Sequence, residues 1–221
     1  KLRPFASGRI PLSHGTIMAP ILLIIGALLA LGLGQMFFAT LMIYYLLTLA
    51  YSLKIKRVIV IDICVLACLY SIRIVAGGVA TDITLSVWLL AFSMFFFLSL
   101  AAVKRKTELV DSLARGNVAP TGRGYHVNDL PIISMISISA GYISILVLAL
   151  YLNSEAVMAL YPKPEFLWGV CVVLLYWITR TVMLAHRGDM HDDPLVYAVK
   201  DHISLACLGL ASAFVAVGMF P

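Results

Sequence analysis

Three stretches of this sequence concentrate residues able to handle phosphate groups or protons. The first is Tyr51-Ser-Leu-Lys54-Ile-Lys56-Arg57, followed by Asp62. Two lysines and an arginine offer N–H donors suited to phosphate oxygens, although basic residues gather at the cytoplasmic end of any membrane helix. Asp62 falls inside an apolar run, where a carboxylate is costly and is a functional candidate for that reason; pairing with Lys56 or Arg57 is the structural alternative. The second stretch is Lys104-Arg105-Lys106-Thr-Glu108-Leu-Val-Asp111. On a helix, positions 104, 108 and 111 share a face with 105 beside them. One surface thus offers cations that can clamp phosphate and carboxylates, Glu108 and Asp111, that can bind Mg²⁺. A Lys104–Glu108 pair on a solvated helix end is the plainer reading. The third is His186-Arg187-Gly-Asp189-Met-His191-Asp192-Asp193-Pro194, with Asp201 following. It is compatible with a metal centre, with substrate contact, or with Asp193 as an N-cap ahead of a first-turn proline. Gly122-Arg123-Gly124-Tyr125 is a weak phosphate-loop candidate that reads better as a flexible turn.

The elements that must position these residues are apolar helices. Of 221 residues, 62% are hydrophobic and 12% charged, and the mean hydropathy is +1.01; soluble domains are far richer in charge. Runs long enough to cross a bilayer core of about 30 Å recur along the chain. They predict an all-α polytopic bundle of seven spans: Ile17–Gly34, Met36–Leu53, Val58–Ile74, Thr84–Val103, Leu130–Leu152, Phe166–Leu184 and Ile203–Phe220. The first two are read as separate helices, because together they exceed one crossing. With that topology, fourteen of the sixteen lysines and arginines fall on one side, which places the N-terminus in the cytoplasm. Lys163 lies opposite and Arg73 within the third span, from which it reaches a lipid phosphate or snorkels to the interface. Gly77 and Gly78 either end that span or allow a close helix contact. The net charge of +5 therefore describes a basic membrane face suited to anionic headgroups or a phosphorylated substrate. No soluble basic domain is available for nucleic acid. Cys64, Cys68, Cys171 and Cys207 all lie within spans; the i, i+4 pair lacks the second ligand pair of a zinc site, and no disulfide is expected.

At these residues the chain resembles the UbiA superfamily of intramembrane transferases over essentially its whole length. Four segments carry the resemblance: Tyr51-Ser with Lys56 and Asp62; Arg73 with Ala76-Gly-Gly78; Lys104-Arg105 with Glu108; and Asp192-Asp193-Pro194 with Asp201. The detailed match is to the polyprenyl-phosphate phosphoribosyltransferases and to the UbiA-like halves of proteins fused to haloacid-dehalogenase-like domains. The resemblance implies a nine-helix fold with a metal-binding Asn-Asp-x-x-Asp-x-x-x-Asp motif between its second and third helices. The opening Lys1-Leu-Arg3-Pro4 looks like the segment after that motif, so residues 1–221 are expected to form one domain lacking the first two helices and the first Asp-rich motif. The second Asp-rich motif of the prenyltransferases would fall at Lys104–Asp111, where bases largely replace acids.

What the resemblance implies for function is a Mg²⁺-assisted transfer at the cytoplasmic face of a bacterial inner membrane. The substrates would be a polyprenyl phosphate or diphosphate and a phosphorylated sugar or other acceptor. Arg3, Tyr51, Lys54, Lys56, Arg73, Lys104, Arg105, Asp192, Asp193 and Asp201 are the expected substrate contacts. Asp62, Glu108 and Asp111 are the expected catalytic carboxylates, the last two also as metal ligands. Prenyl transfer to an aromatic acceptor, a transporter and a non-catalytic scaffold are the competing readings.

Overall fold

The apolar runs fold as helices throughout, and the reason is the absence of water to satisfy their backbone groups any other way. A computed structural model describes residues 11–120, 122–190 and 193–220. Nine α-helices occur among them: α1 Leu12–Leu33, α2 Gln35–Leu53, α3 Ile61–Thr81, α4 Val87–Ala114, α5 Leu130–Leu152, α6 Glu155–Leu160, α7 Trp168–Arg187, α8 Pro194–Lys200 and α9 His202–Met219. Seven are long and apolar enough to cross a membrane, α6 and α8 being the exceptions. The expected polytopic bundle is therefore present, and the chain is an integral membrane protein.

The chain divides into two compact units, one ending at Leu46 and resuming over Ile72–Thr84, the other made of Leu47–Ser71 and Leu85 onward. In the first unit, α1 and α2 are separate helices joined through Gly34 alone, whose φ of 120° is open to glycine and strained for other residues. The end of α3 also lies here. It runs through Gly77 and Gly78 to Thr81, past the expected limit at Ile74, and the Thr81 hydroxyl donates to the Gly77 carbonyl at 2.9 Å. Most side chains of α1 are exposed and apolar, as a lipid-facing helix requires.

In the second unit α4 packs against α5, α7 and α8, and α9 lies against α7 and α8. Small residues set the closest approaches. A methyl group on Gly141 of α5 would come within 2.6 Å of Ile178 on α7 and 3.0 Å of the Ser99 hydroxyl on α4. That hydroxyl donates to the Ser137 carbonyl at 2.6 Å. Close backbone approach and inter-helix hydrogen bonds are how helices associate where burial of apolar surface gives no gain over lipid. The largest departure from the expected spans is α4, which continues eleven residues beyond Val103 to Ala114. The basic run is helical as its shared face of 104, 108 and 111 predicts, but Arg105 and Lys106 are buried rather than solvated. The start of α3 is also displaced, to Ile61, since Val58–Val60 form a turn. Two loops contain short helices, α6 and α8, and Asp193 caps α8 as its Asp-Pro sequence predicts, accepting from the Leu195 N–H at 3.1 Å.

Candidate functional site

Three successive cations on α4 point three ways. Lys106 is buried and donates to the Val182 carbonyl of α7 at 3.3 Å. Arg105 turns to α3. Its Nε lies 2.8 Å from Asp62 Oδ2, and both side chains have no exposed surface. That contact is a charge pair without an aligned hydrogen bond, since neither atom meets hydrogen-bond geometry; Nη2 donates to Asp62 Oδ1 at 3.4 Å. The same guanidinium bonds Glu108 one turn along through Nη1. Arg105 thus bridges carboxylates on two helices and is committed to them. The expected phosphate contact Arg105 and the expected catalytic carboxylate Asp62 are thus both wholly buried and paired with each other.

Arg123 completes the cluster from the α4–α5 loop. Its Nη1 donates to the Tyr51 hydroxyl and to Asp62 Oδ1, both at 3.3 Å. Its Nε and Nη2 face the two oxygens of Glu108 at 3.2 and 3.3 Å. Tyr51, on the last turn of α2, donates to Asp62 Oδ1 at 2.8 Å. Burial works against the Arg123 charge, but Glu108, Tyr51 and Asp62 outweigh it and hold the guanidinium above its ordinary pKa. Two arginines therefore face two carboxylates, neutral in sum, with exposure falling only on the Glu108 and Arg123 side chains at 31% and 17%.

Contacts at Gly124 and Tyr125 anchor the loop segment that carries Arg123. Tyr125 is buried, its ring 5.8 Å from the Arg105 Cζ, and its hydroxyl accepts from the Val60 N–H at 2.9 Å. Burial pushes this phenol up to about 12. Val60 has a φ of 65°, a conformation that costs a branched residue about 1–3 kcal/mol and persists only where surroundings enforce it. Gly124 packs so closely on the Arg57 carbonyl that a methyl group would overlap it. The α2–α3 and α4–α5 loops therefore hold each other across the end of the cluster. The sequence signal for this is Gly122-Arg123-Gly124-Tyr125, which by itself reads as a weak phosphate-loop candidate or a flexible turn.

The other expected site residues are placed as follows. Lys104, 30% exposed, pairs with Asp193 at 2.6 Å instead of Glu108, and Asp193 also accepts from the Tyr70 hydroxyl at 3.3 Å. Lys54 is exposed and Lys56 half-buried; neither forms an ion pair with a described residue. Asp111 faces Arg115 at 3.4 Å, apart from the Asp62–Glu108 cluster. Arg73 belongs to the first unit, where it donates to the Tyr44 hydroxyl at 2.8 Å. Arg3 and Asp192 lie outside the described residues. No group of three or more His, Cys, Asp or Glu able to hold a metal occurs among the described residues. Glu108 and Asp111 do not fit Mg²⁺ as a pair, because one is committed to two guanidinium groups and the other turns to a third.

Asp201 is a helix cap. It accepts both guanidinium arms of Arg180 at 2.6 and 3.1 Å and the N–H and hydroxyl of Ser204 at 2.8 Å, joining α7 to the start of α9. The hydrogen bonds from Arg180 hold its carboxyl down to about 2, against an ordinary value of 3.8. A depressed carboxyl stabilises the fold above its unfolded pKa, and that contribution disappears as pH falls from about 4 to about 2. Asp201→Asn keeps the cap and removes the charge. Thermal unfolding in lipid nanodiscs should therefore show a shallower loss of stability between pH 4 and pH 2 in this variant than in the wild type; equal acid slopes would remove Asp201 from the account.

The model of the UbiA prenyltransferase family matches residues 1–208. The chain is 41% identical over 215 residues to nodulation protein NoeC of Azorhizobium caulinodans, covering 96% of the chain and 70% of that relative. It is 36% identical over 217 residues to protein y4nM of Sinorhizobium fredii, covering 97% of the chain but 42% of the relative. A decaprenyl-phosphate phosphoribosyltransferase of Mycolicibacterium smegmatis is 35% identical over 109 residues, about half of the chain and 34% of that enzyme.

Proposed function

Because the chain belongs to the UbiA prenyltransferase family, we propose that it forms the lipid- and phosphate-binding part of a transferase acting on a polyprenyl phosphate at the cytoplasmic membrane face. The favoured reaction is phosphoribosyl transfer: an oxygen of the lipid phosphate forms a bond to the anomeric carbon of an activated ribose as diphosphate leaves. The observation that carries this reading is the polar cluster at the meeting of α2, α3 and α4, and the decaprenyl-phosphate phosphoribosyltransferases among the relatives support its phosphoribosyl branch. In this role Lys104, Lys54 and Lys56, each with exposed surface, attract phosphate oxygens. Glu108, the exposed carboxylate of the cluster, accepts hydrogen bonds from sugar hydroxyls. Asp62, Arg105 and Tyr51 hold it in place. An apolar groove of about 200 Å³ in the second unit, lined by Phe96, Trp177, Ala198, Cys207 and Leu208 among others, suits isoprene units of the tail.

The family's description as prenyltransferases favours a second reading, in which an allylic diphosphate ionises and an acceptor traps the carbocation. One assay separates the two. Membranes containing the natural full-length protein are given radiolabelled polyprenyl phosphate with a phosphoribosyl diphosphate donor, or an allylic diphosphate with an aromatic acceptor. Labelled phosphoribosyl lipid is the expected product of the first mixture, and product from the second mixture alone would reject phosphoribosyl transfer.

A further inference from the structure

Every polar atom that Arg123 engages is an oxygen: the Tyr51 hydroxyl, Asp62 Oδ1 and both oxygens of Glu108, supplied by three helices at 3.2–3.3 Å. An all-oxygen set containing two carboxylates is what a hard divalent cation selects. Arg105 supplies one positive charge to those carboxylates and is wholly buried. Arg123 supplies the second, and it arrives on a turn that Gly124 and Tyr125 pin against the Arg57 carbonyl and the Val60 N–H. A guanidinium delivered on a fixed loop into an oxygen-lined gap has the position and the charge-neutralising role of a bound ion. We propose that Arg123 stands in for a divalent cation, bridging Tyr51, Asp62 and Glu108 so that this cluster assembles without metal.

The inference rests on the cluster geometry and does not depend on which group is transferred. Its consequence is that removing the charge of Arg123 leaves Asp62, Glu108 and Arg105 with a net charge of minus one around an oxygen-lined space. Such a space should recruit the ion that the arginine replaced.

The test uses the 221-residue chain in lipid nanodiscs, stripped with EDTA and titrated with Mn²⁺ while free Mn²⁺ is followed by electron paramagnetic resonance. Arg123→Gln should capture a single Mn²⁺ at least about ten-fold more tightly than the wild type, and its lowered unfolding midpoint should rise with added Mg²⁺ while that of the wild type stays put. Adding Glu108→Gln should abolish both effects. Arg123→Lys keeps the charge and should capture no more Mn²⁺ than the wild type. Equal capture by wild type and Arg123→Gln, no capture by Arg123→Gln, or capture by Arg123→Lys would each overturn the proposal. Should Arg123→Gln fail to fold in EDTA, recovery of folded protein on purification with Mg²⁺ supports the proposal, and continued failure counts against it.

Discussion

Arg105→Ala is expected to lower the thermal unfolding midpoint by roughly 10 °C or more, from a loss of about 3–5 kcal/mol. The cause is the carboxylate left behind. Asp62 and Arg105 have no exposed surface, so without the guanidinium the aspartate must either remain charged in a low-dielectric interior or take up a proton. Arg123 compensates poorly, because its one contact with Asp62 is 3.3 Å long and most of its donors face Glu108. Arg105→Lys should recover little of the loss. A compact ammonium cannot span Asp62 on α3 and Glu108 on α4 together, as the planar fork does. The complementary substitution Asp62→Asn should cost less, since Arg105 then keeps Glu108 as its counter-ion. Differential scanning fluorimetry in nanodiscs measures all three; an Arg105→Ala midpoint within about 1 °C of wild type would mean that the pair is not structural in the sense described.

The helical architecture was legible in the sequence because it depends on run length and polarity alone, which lipid enforces. Helix ends were less legible. Continuation of α4 past Val103 agrees with the shared helix face of positions 104, 108 and 111, but the solvated end expected there is instead buried in part, because Arg105 and Lys106 find partners inside the bundle. Asp62, Arg105 and Glu108 stood out individually for the same reason that makes them costly. Their partners did not, because sequence neighbours are the natural guess. Lys56 or Arg57 is the natural structural partner for Asp62 and Glu108 for Lys104, whereas the observed charged partners of Asp62 lie 43 and 61 positions away and that of Lys104 lies 89 away. Only packing of helix ends decides such pairs. Arg123 was hidden further by lying between two glycines, a context that signals a loop and not what the loop is fastened to. The tyrosine beside it was the available clue, since a buried phenol needs a hydrogen-bond partner, and here that partner is the strained Val60.

Glu108→Gln should reduce transfer by about two orders of magnitude or more in kcat, within the range seen when a charged catalytic group is neutralised without change of shape. Glutamine fills the same volume and its amide oxygen can still accept from the buried Arg105, while water reaches the part-exposed Arg123, so the protein should remain folded. Lys104→Ala should act differently. Its partner Asp193 is 21% exposed and keeps its bonds from Tyr70 and the Leu195 N–H, so the fold tolerates the change, while the lost ammonium weakens capture of the lipid phosphate. The expected signature is a raised KM for polyprenyl phosphate with a smaller change in kcat. The split matters more than either loss, because general destabilisation would lower the amount of active protein for both variants alike. A transporter or a scaffold built on this fold would show neither pattern. Full product formation by the Lys104→Ala, Glu108→Ala double variant, in the natural full-length protein with radiolabelled polyprenyl phosphate, would leave the α4 face without a catalytic role, whereas no product from the unsubstituted protein would return the choice to those two classes.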